Sequence, residues 1–394
     1  MPVGRRVAQW RTRRRMTQQV FADRIGKSKS WVEKVERGIR KLDKFSVIQH
    51  IAEVLHIDPA ELLDGQEQSP VDGSKIDGLE KLKSTLVCHA TFNAHAEAPY
   101  LPKPGEIQRQ IEHAWMTYGH GDYLQLLRIL PKLLTISQQL HALHPEAGAE
   151  PLVQANRVAS SVLVKLDEAH LAWIAADRAI VAAGNDRVLA AAAALSLTQA
   201  LRALCQNRLA LATALAAAHH IAQPSEGTES AEQASVYGAL LLQAALAAAS
   251  NNDPATVKEL LRQAADLARQ NKDHETSQRR GFNQTTVELT QIVTRASLGE
   301  TRLALTQHEK MTKDGMLLHL PAEHRAAYLL DISRTYLQVG DMPAAGRALK
   351  EACRITPAGI RHAPSARLLV AEISRREPGP SDLHGLAASI GLTR

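Results

Sequence analysis

The stretch TQQVFADRIGKSKSWVEKVERG, Thr17 to Gly38, decides how the start of this chain is read. Its apolar spacing predicts two short helices around a tight turn. Phe21, Ala22 and Ile25 form the inner face of the first, and Val32 and Val35 that of the second. Gly26 falls between them, where a chain reversal favours a residue without a Cβ. Ser28 is placed to cap the second helix by accepting from its free N–H groups. That helix turns Lys29, Ser30, Trp31, Glu33 and Lys34 outward. Cations and hydrogen-bonding side chains at its N-terminal end suit the DNA major groove, which admits one α-helix and shows base edges to its first turns.

The charge distribution agrees. Met1 to Phe45 carries 14 Lys and Arg against 4 Asp and Glu, a net of +10 in a chain of +6. The remainder is therefore −4, with 33 basic and 37 acidic residues. Basicity confined to one end is expected of a phosphate-binding head on a neutral or acidic body. Arg11, Arg13, Arg14 and Arg15 precede the motif, and Arg37, Arg40, Lys41 and Lys44 follow it.

Met1 to Leu63 resembles the Cro/repressor-type (XRE) helix-turn-helix family. The residues that carry this are Thr17-Gln18, Phe21-Ala22, Ile25-Gly26, Ser28, Val32, Val35-Glu36, Gly38 and the run SVIQHIAEVLHIDPAELL, Ser46 to Leu63. The resemblance implies a five-helix domain whose third helix, about Ser28 to Arg37, enters the groove. It further implies that Lys29, Ser30, Trp31 and Lys34 face bases while Thr17, Gln18, Arg40 and Lys41 touch phosphates, which position a protein without reading sequence. The chain departs from the family at Lys27, often apolar elsewhere, so Lys27 is expected to face solvent or phosphate. Trp31 reads equally as a contact to a thymine methyl or backbone and as an inter-helix packing residue.

The 394 residues leave about 330 beyond this head, enough for one large or two ordinary domains. Apolar residues make up 45% and aromatics only 4%, with alanine abundant after Ala155, which favours closely packed helices over sheets. Cys88, Cys205 and Cys353 form no CxxC pair, so neither a disulfide framework nor a cysteine zinc site is expected. The basic N-terminus lacks an apolar h-region, and a cytoplasmic protein without a signal peptide is expected. Leu189 to Ala218 is interrupted by Arg202 and Arg208, and Val236 to Ala249 is too short to span a bilayer, so no membrane partner is expected.

Gly65 to Gly78 reads as a polar linker and Ala98 to Gly105 as a second break; a helix over Asp77 to Phe92 belongs to either side. From Glu106 an apolar helix, a small-polar turn and a second amphipathic helix recur. The clearest copy, Arg325 to Pro357, resembles the tetratricopeptide pattern through Leu329, Ile332, Ser333, Tyr336, Gly340-Asp341, Ala345, Leu349, Ala352 and Pro357. Weaker copies turn at Gly121-Asp122, Asn207, Asn252-Asp253 and Gly299-Glu300, with a long loop at Gln223 to Glu232. The expected fold is all-α. It comprises a five-helix head over 1–64, a linker with a connecting helix over 65–105, a tetratricopeptide-like α-solenoid over 106–377 and a tail over 378–394.

The whole arrangement also resembles a group of actinobacterial regulators that join a repressor-type head to a divergent tetratricopeptide body. The resemblance runs through His170 to Ile180, Ser235 to Ala249 and Ile355 to Pro364. That group carries a Phe-Gly-Pro-Thr-Asn-Val element, which here reads Phe282-Asn283-Gln284-Thr285-Thr286-Val287.

Other chemistry is weakly signalled. Cys88-His89 with His95 is the best metal constellation, but zinc needs three or four converging ligands and neighbours on a helix diverge. His113, His120, His219 and His220 read as exposed or satisfied histidines. There is no glycine-rich phosphate loop and no GxSxG, and Asp167-Glu168 and Asp331 read as isolated carboxylates on helices, solvated or turn-capping, so neither a cofactor nor an enzyme is expected. Trp115 and Trp173 lie among apolar neighbours and read as core. The expected function is a dimeric, sequence-specific DNA-binding regulator. A peptide or small-molecule effector would sit on the inner helices at Asn156, Arg157, Gln199, Arg202, Tyr237, Gln243, Asn283, Thr286 and Arg295. The rival expectation is a DNA-tethered scaffold whose repeats dock a partner protein.

Overall fold

The computed structural model describes residues 3–14, 16–38, 40, 42, 45–55, 73–87, 102, 104–222, 231–270 and 282–376. Every regular element among them is helical. The chain divides into two compact units, Met1–Gly73 and Ser74–Arg394.

The first unit contains α1 (Val3–Arg13), α2 (Gln18–Arg24), α3 (Lys29–Glu36) and α4 (Phe45–Leu55). Val7, Phe21, Ala22, Ile25, Val32, Ile51, Ala52 and Leu55 form its core, so each helix contributes one apolar stripe. The fifth helix expected after α4 falls on residues 56–64, which lie outside the described residues.

The second unit opens with α5 (Gly73–Val87), whose Leu79, Leu82 and Leu86 join the same core as Ile107, Ile111 and Leu126. The helix that composition left between linker and body thus packs with the body. Six helical hairpins follow among the described residues. They are α6–α7 (Pro104–Gly119, Tyr123–Leu143), α8–α9 (Pro145–Lys165, Ala169–Ala183), α10–α11 (Arg187–Ala203, Asn207–Ala222), α12–α13 (Ala231–Ser250, Pro254–Gln270), α14–α15 (Gln284–Ser297, Thr301–Lys313) and α16–α17 (Ala322–Val339, Met342–Ile355). A 3-10 turn, Met316–His319, precedes α16, and α18 (Pro357–His362) and α19 (Pro364–Arg376) end the described part. Helix α12 is long and apolar enough to cross a membrane by length and composition alone, beyond the shorter span read from the sequence. Here its Leu240, Leu241, Ala244, Ala245 and Ala248 are buried in the core of the body.

The hairpin turns share one device, a residue in the left-handed region. Five of them fall at the turns read from sequence: Gly121, Cys205 just before Asn207, Asn252, Gly299 and Gly340. The sixth is Asp167, with φ 65°; it corrects the helical placement of Asp167-Glu168 and sets the pair in a turn, with Glu168 at the start of α9. No glycine or asparagine marks that turn, but aspartate is among the few side chains that tolerate this conformation. A second regularity links two hairpins. Ser160 Oγ donates to the Ala172 carbonyl and Ser333 Oγ to the Ala345 carbonyl, each at 2.9 Å and each buried. Both serines stand seven positions before the left-handed residue of their turn. A hydroxyl reaches the facing backbone only where the helices touch through alanine, and Ala172 and Ala345 are both fully buried.

The first helices of the hairpins touch in succession, α6 to α8, α10, α12, α14 and α16, and α16 touches α6 again. The inner helices therefore close into a ring. At the closure Lys165 Nζ lies 2.6 Å from Glu323 Oε1, whose side chain is only 3% exposed. The Tyr123 hydroxyl stands beside the same carboxylate. Gly121 packs so tightly on Thr356 that an added Cβ would lie 2.6 Å from its methyl carbon. Burial alone would raise Glu323, but Lys165, His324 and Tyr123 together hold it below the usual carboxylate range. Burial alone would lower Lys165, and Glu323 more than reverses this, leaving the ammonium above its usual value.

Two consequences can be measured. Glu323→Gln strands an ammonium that is about two-thirds covered, and should cost about 2–3 kcal/mol, between the surface and buried regimes for ion pairs. The carboxylate is depressed in the fold, so its contribution is complete above its ordinary value and fades as pH falls through the folded value. The raised Lys165 contributes below its ordinary value and fades only at strongly alkaline pH. Calorimetric melts should separate wild type from Glu323→Gln at pH 7 and bring them together under acid; a gap that widened under acid would contradict the assignment. Independently, Ala345→Leu should overpack the α16–α17 contact by about 1–3 kcal/mol. Circular-dichroism melts of the full chain should show it as a lower midpoint.

Candidate nucleic-acid interface and inner face of the repeats

Helices α2 and α3 are set by local chemistry. Thr17 Oγ1 accepts from Val20 N and Ser28 Oγ from Trp31 N, each at 3.2 Å, so both helix starts are capped by side chains. The turn between them places Gly26 at φ 63°, which a β-carbon would resist. α1 crosses α3 at backbone contact: a Cβ on Gly4 would fall 1.8 Å from the Val35 carbonyl oxygen.

One buried ion pair then fixes the roll of α3. Arg11 Nε and Nη2 meet the Glu36 carboxylate at 2.6 and 3.2 Å, and Gln18 Nε2 donates to it at 2.7 Å. Arg11 Nη1 also donates to the Met16 carbonyl at 2.6 Å. The side chains are 14% and 8% exposed, so α1, α2 and α3 are tied through one carboxylate largely out of water. The basic run before the motif concealed this, because sequence alone gave Arg11 no reason to differ from its neighbours.

Lys29, Ser30, Lys34 and Arg37 are all exposed on α3 and its C-cap. Ser30, Lys34 and Arg37 stand three or four apart and share one face. Arg37 also pairs with Glu33 at 2.7 Å on the surface. Thr17, Lys27, Ser28 and Arg40 are exposed, whereas Gln18 is half-buried against Glu36. Lys41 lies outside the described residues. Trp31 is half-buried against the head core, and Lys27 Nζ and the Arg40 guanidinium lie 6.0 and 5.8 Å from its ring centroid. Beside it a cavity of about 250 Å³ is lined by Ile25, Lys27, Val47, His50 and Ile51. An apolar side chain at position 27 would suit those walls; the lysine instead reaches over the indole, and a cation on an aromatic face is attracted by the ring quadrupole.

In the body, the polar residues expected on the inner helices divide by what they do. Asn283 and Thr286 cap α14 reciprocally, Asn283 Oδ1 accepting from Thr286 N at 3.0 Å and Thr286 Oγ1 from Asn283 N at 2.9 Å. Phe282, next to them, is buried against Gly238, where a Cβ would lie 2.3 Å from the ring. Arg295 lies 3.6 Å from Glu300. Asn156 is buried, its amide donating to the Leu152 carbonyl at 2.9 Å. Gln199 and Tyr237 are half-buried. Arg157 Nη1 donates to Gln154 and Arg202 Nη1 to Gln243, each at 3.0 Å.

Trp115 is half-buried against the core, while Trp173 is 46% exposed on α9, which corrects the core reading. Its neighbours Ala172, Ala175 and Ala176 take the buried side of that helix instead. Cys88, His89 and His95 lie outside the described residues, as do the linker up to residue 72, most of the loop from residue 223 and the tail.

The ion pair yields a prediction. Glu36→Ala leaves Arg11 nearly buried and unpaired and should destabilise the head by about 3–5 kcal/mol. Arg11→Met combined with Glu36→Leu should recover most of that loss. Urea unfolding of the head transition reads both; equal losses in the single and double variants would show that packing, not charge, holds α3.

Compared with known proteins, residues 2–64 match the family described as helix-turn-helix domain. No curated protein matches the chain. Among solved structures the chain is similar to Bacillus thuringiensis PlcR in complex with the peptide PapR7 and DNA, with 11% identity, a TM-score of 0.31 and coverage of 90% of this chain and 93% of that one. The chain thus carries an N-terminal helix-turn-helix domain ahead of a body of helical hairpins.

Proposed function

We propose that the chain is a non-enzymatic transcriptional regulator of Cro/repressor type that binds operator DNA as a dimer in the cytoplasm. In this reading an effector, a peptide or a small molecule, is sensed on the inner face of its tetratricopeptide-like ring. The exposed face of α3 carries it: Ser30, Lys34 and Arg37 lie on one side of a helix whose roll is fixed by Glu36, with Lys29 in its first turn. Such a face suits the major groove, and the flanking Thr17, Lys27 and Arg40 suit phosphates. A lone recognition helix reads few base pairs, which is why two heads on half-sites are proposed, with the body supplying the dimer contact. Closure of the inner helices into a ring supports a ligand enclosed by the body over a partner protein laid along an open groove.

A gel-shift titration tests the DNA reading. Arg40→Ala should weaken operator and random DNA alike and flatten the salt dependence by about 0.9 log units per lost phosphate contact. Lys29→Ala and Ser30→Ala should instead reduce the preference for operator by about 1–3 kcal/mol. An unchanged specificity ratio in both would mean that another face of α3 meets the bases. Sedimentation of residues 1–73 beside the full chain tests where the dimer forms, and a stable dimer of the head alone would move that contact out of the body.

A further inference from the structure

Two arginines on the outer helices, Arg262 and Arg354, are neutralised by carboxylates. Arg262 lies 2.7 Å from Glu259 and 3.0 Å from Asp266, and Arg354 lies 2.7 Å from Glu351. Two arginines of the inner ring are held differently. Arg157 on α8 and Arg202 on α10 bond to glutamine amides, and among the described residues neither has a carboxylate within 4 Å. The Nε of each is buried without a partner. A glutamine fixes where a guanidinium points but leaves its charge intact, so a half-buried cation held in this way is oriented and still without a counter-charge.

Arg157 is the better built of the two. Gln154 Oε1 accepts from Arg157 Nη1 at 3.0 Å and from Trp115 Nε1 at 3.1 Å, so one amide oxygen sets both side chains. The guanidinium lies over the indole of Trp115, 5.3 Å from its centroid. This joins α6 to α8, neighbours in the inner ring. Burial lowers the Arg157 guanidinium to about 10, and Glu232 opposes this only from beyond ion-pair distance. At neutral pH the group stays charged. The planar fork is the geometry that accepts a carboxylate through parallel N–H bonds.

We propose that the inner face of the ring binds a ligand through a carboxylate seated on Arg157, with Trp115 and Gln154 holding the guanidinium in place. This rests on the reading that the effector binds inside the ring, and it narrows that effector to an organic acid or a peptide with an accessible carboxylate.

The test uses the full chain and calorimetric titration with glutarate, its neutral counterpart glutaramide, and a set of hexapeptides with free or amidated C-termini. Carboxylate probes should bind at least tenfold more tightly than their amide twins. Arg157→Lys, which keeps the charge and loses the fork, should weaken that binding about tenfold, and Arg157→Met should abolish the difference between acid and amide. Melts of each variant confirm that it is folded. Binding of glutarate points to a small acid, and binding of free-terminus peptides alone points to a peptide. The proposal is overturned if no carboxylate probe binds, if acid and amide bind alike, or if a folded Arg157→Met retains the preference. Operator gel shifts with the same probes separate the two readings. Carboxylate binding at Arg157 that leaves DNA affinity unchanged sinks the effector reading alone, whereas a neutral effector insensitive to Arg157 sinks the carboxylate seat alone.

Discussion

Everything in the body depends on helices that touch through alanine. Ala172, Ala175, Ala176 and Ala179 on α9 are fully buried, as are Ala244, Ala245, Ala247 and Ala248 on α12. Alanine buries little apolar area per residue, so the gain per contact is small and packing density must supply the rest. The same smallness lets backbones approach until a serine hydroxyl reaches a carbonyl on the facing helix, as Ser160 and Ser333 do. A bond of that kind tolerates no spreading of the pair, because a buried hydroxyl left without a partner costs more than the bond contributes. Repeats built this way stack at fixed spacing, and the sum of their small rotations brings α16 back to α6.

Closing the ring creates a place where polar groups from distant parts of the chain meet. Lys165 on the second hairpin pairs with Glu323 on the sixth. Arg202, on the third, is lowered by burial and partly restored by Asp331, again on the sixth. These are inward-facing positions, and the two ends of the array share them. A ligand inside such a ring would touch hairpins far apart in sequence at once, which is the condition for one small molecule to bias the whole body between two arrangements.

How far the sequence disclosed this varies with the kind of signal. The head was legible because its constraints are local: a cap, a glycine turn and an apolar period within Thr17 to Gly38. Five of the hairpin turns were legible through glycine, asparagine or polar pairs. The Asp167 turn was not, since an aspartate in the left-handed region looks like any helical carboxylate in one dimension. Trp173 was misplaced because apolar neighbours along the chain say nothing about which side of a helix is covered. The Arg11–Glu36 pair and the ring closure were invisible for a different reason. Each joins residues whose proximity is set by packing rather than by spacing, 25 positions apart in the first case.

The two units treat a withdrawn arginine in opposite ways, and the difference separates architecture from reception. In the head, Arg11 is given a carboxylate, an amide neighbour on that carboxylate and a backbone carbonyl, so its charge is spent on holding α3. Nothing is left over for a ligand, and the cations exposed on α3, Lys29 and Lys34, lie outside this network. In the body, Arg157 is given an amide and an aromatic face, which orient it and leave its charge unmet. A purely structural role would favour the first solution, because a half-buried cation without a counter-charge weakens the fold that carries it. An arginine kept in the second state, on the inner side of a closed ring, gains a counter-charge when an anion arrives. The ring and the binding of that anion then strengthen each other through the same contact.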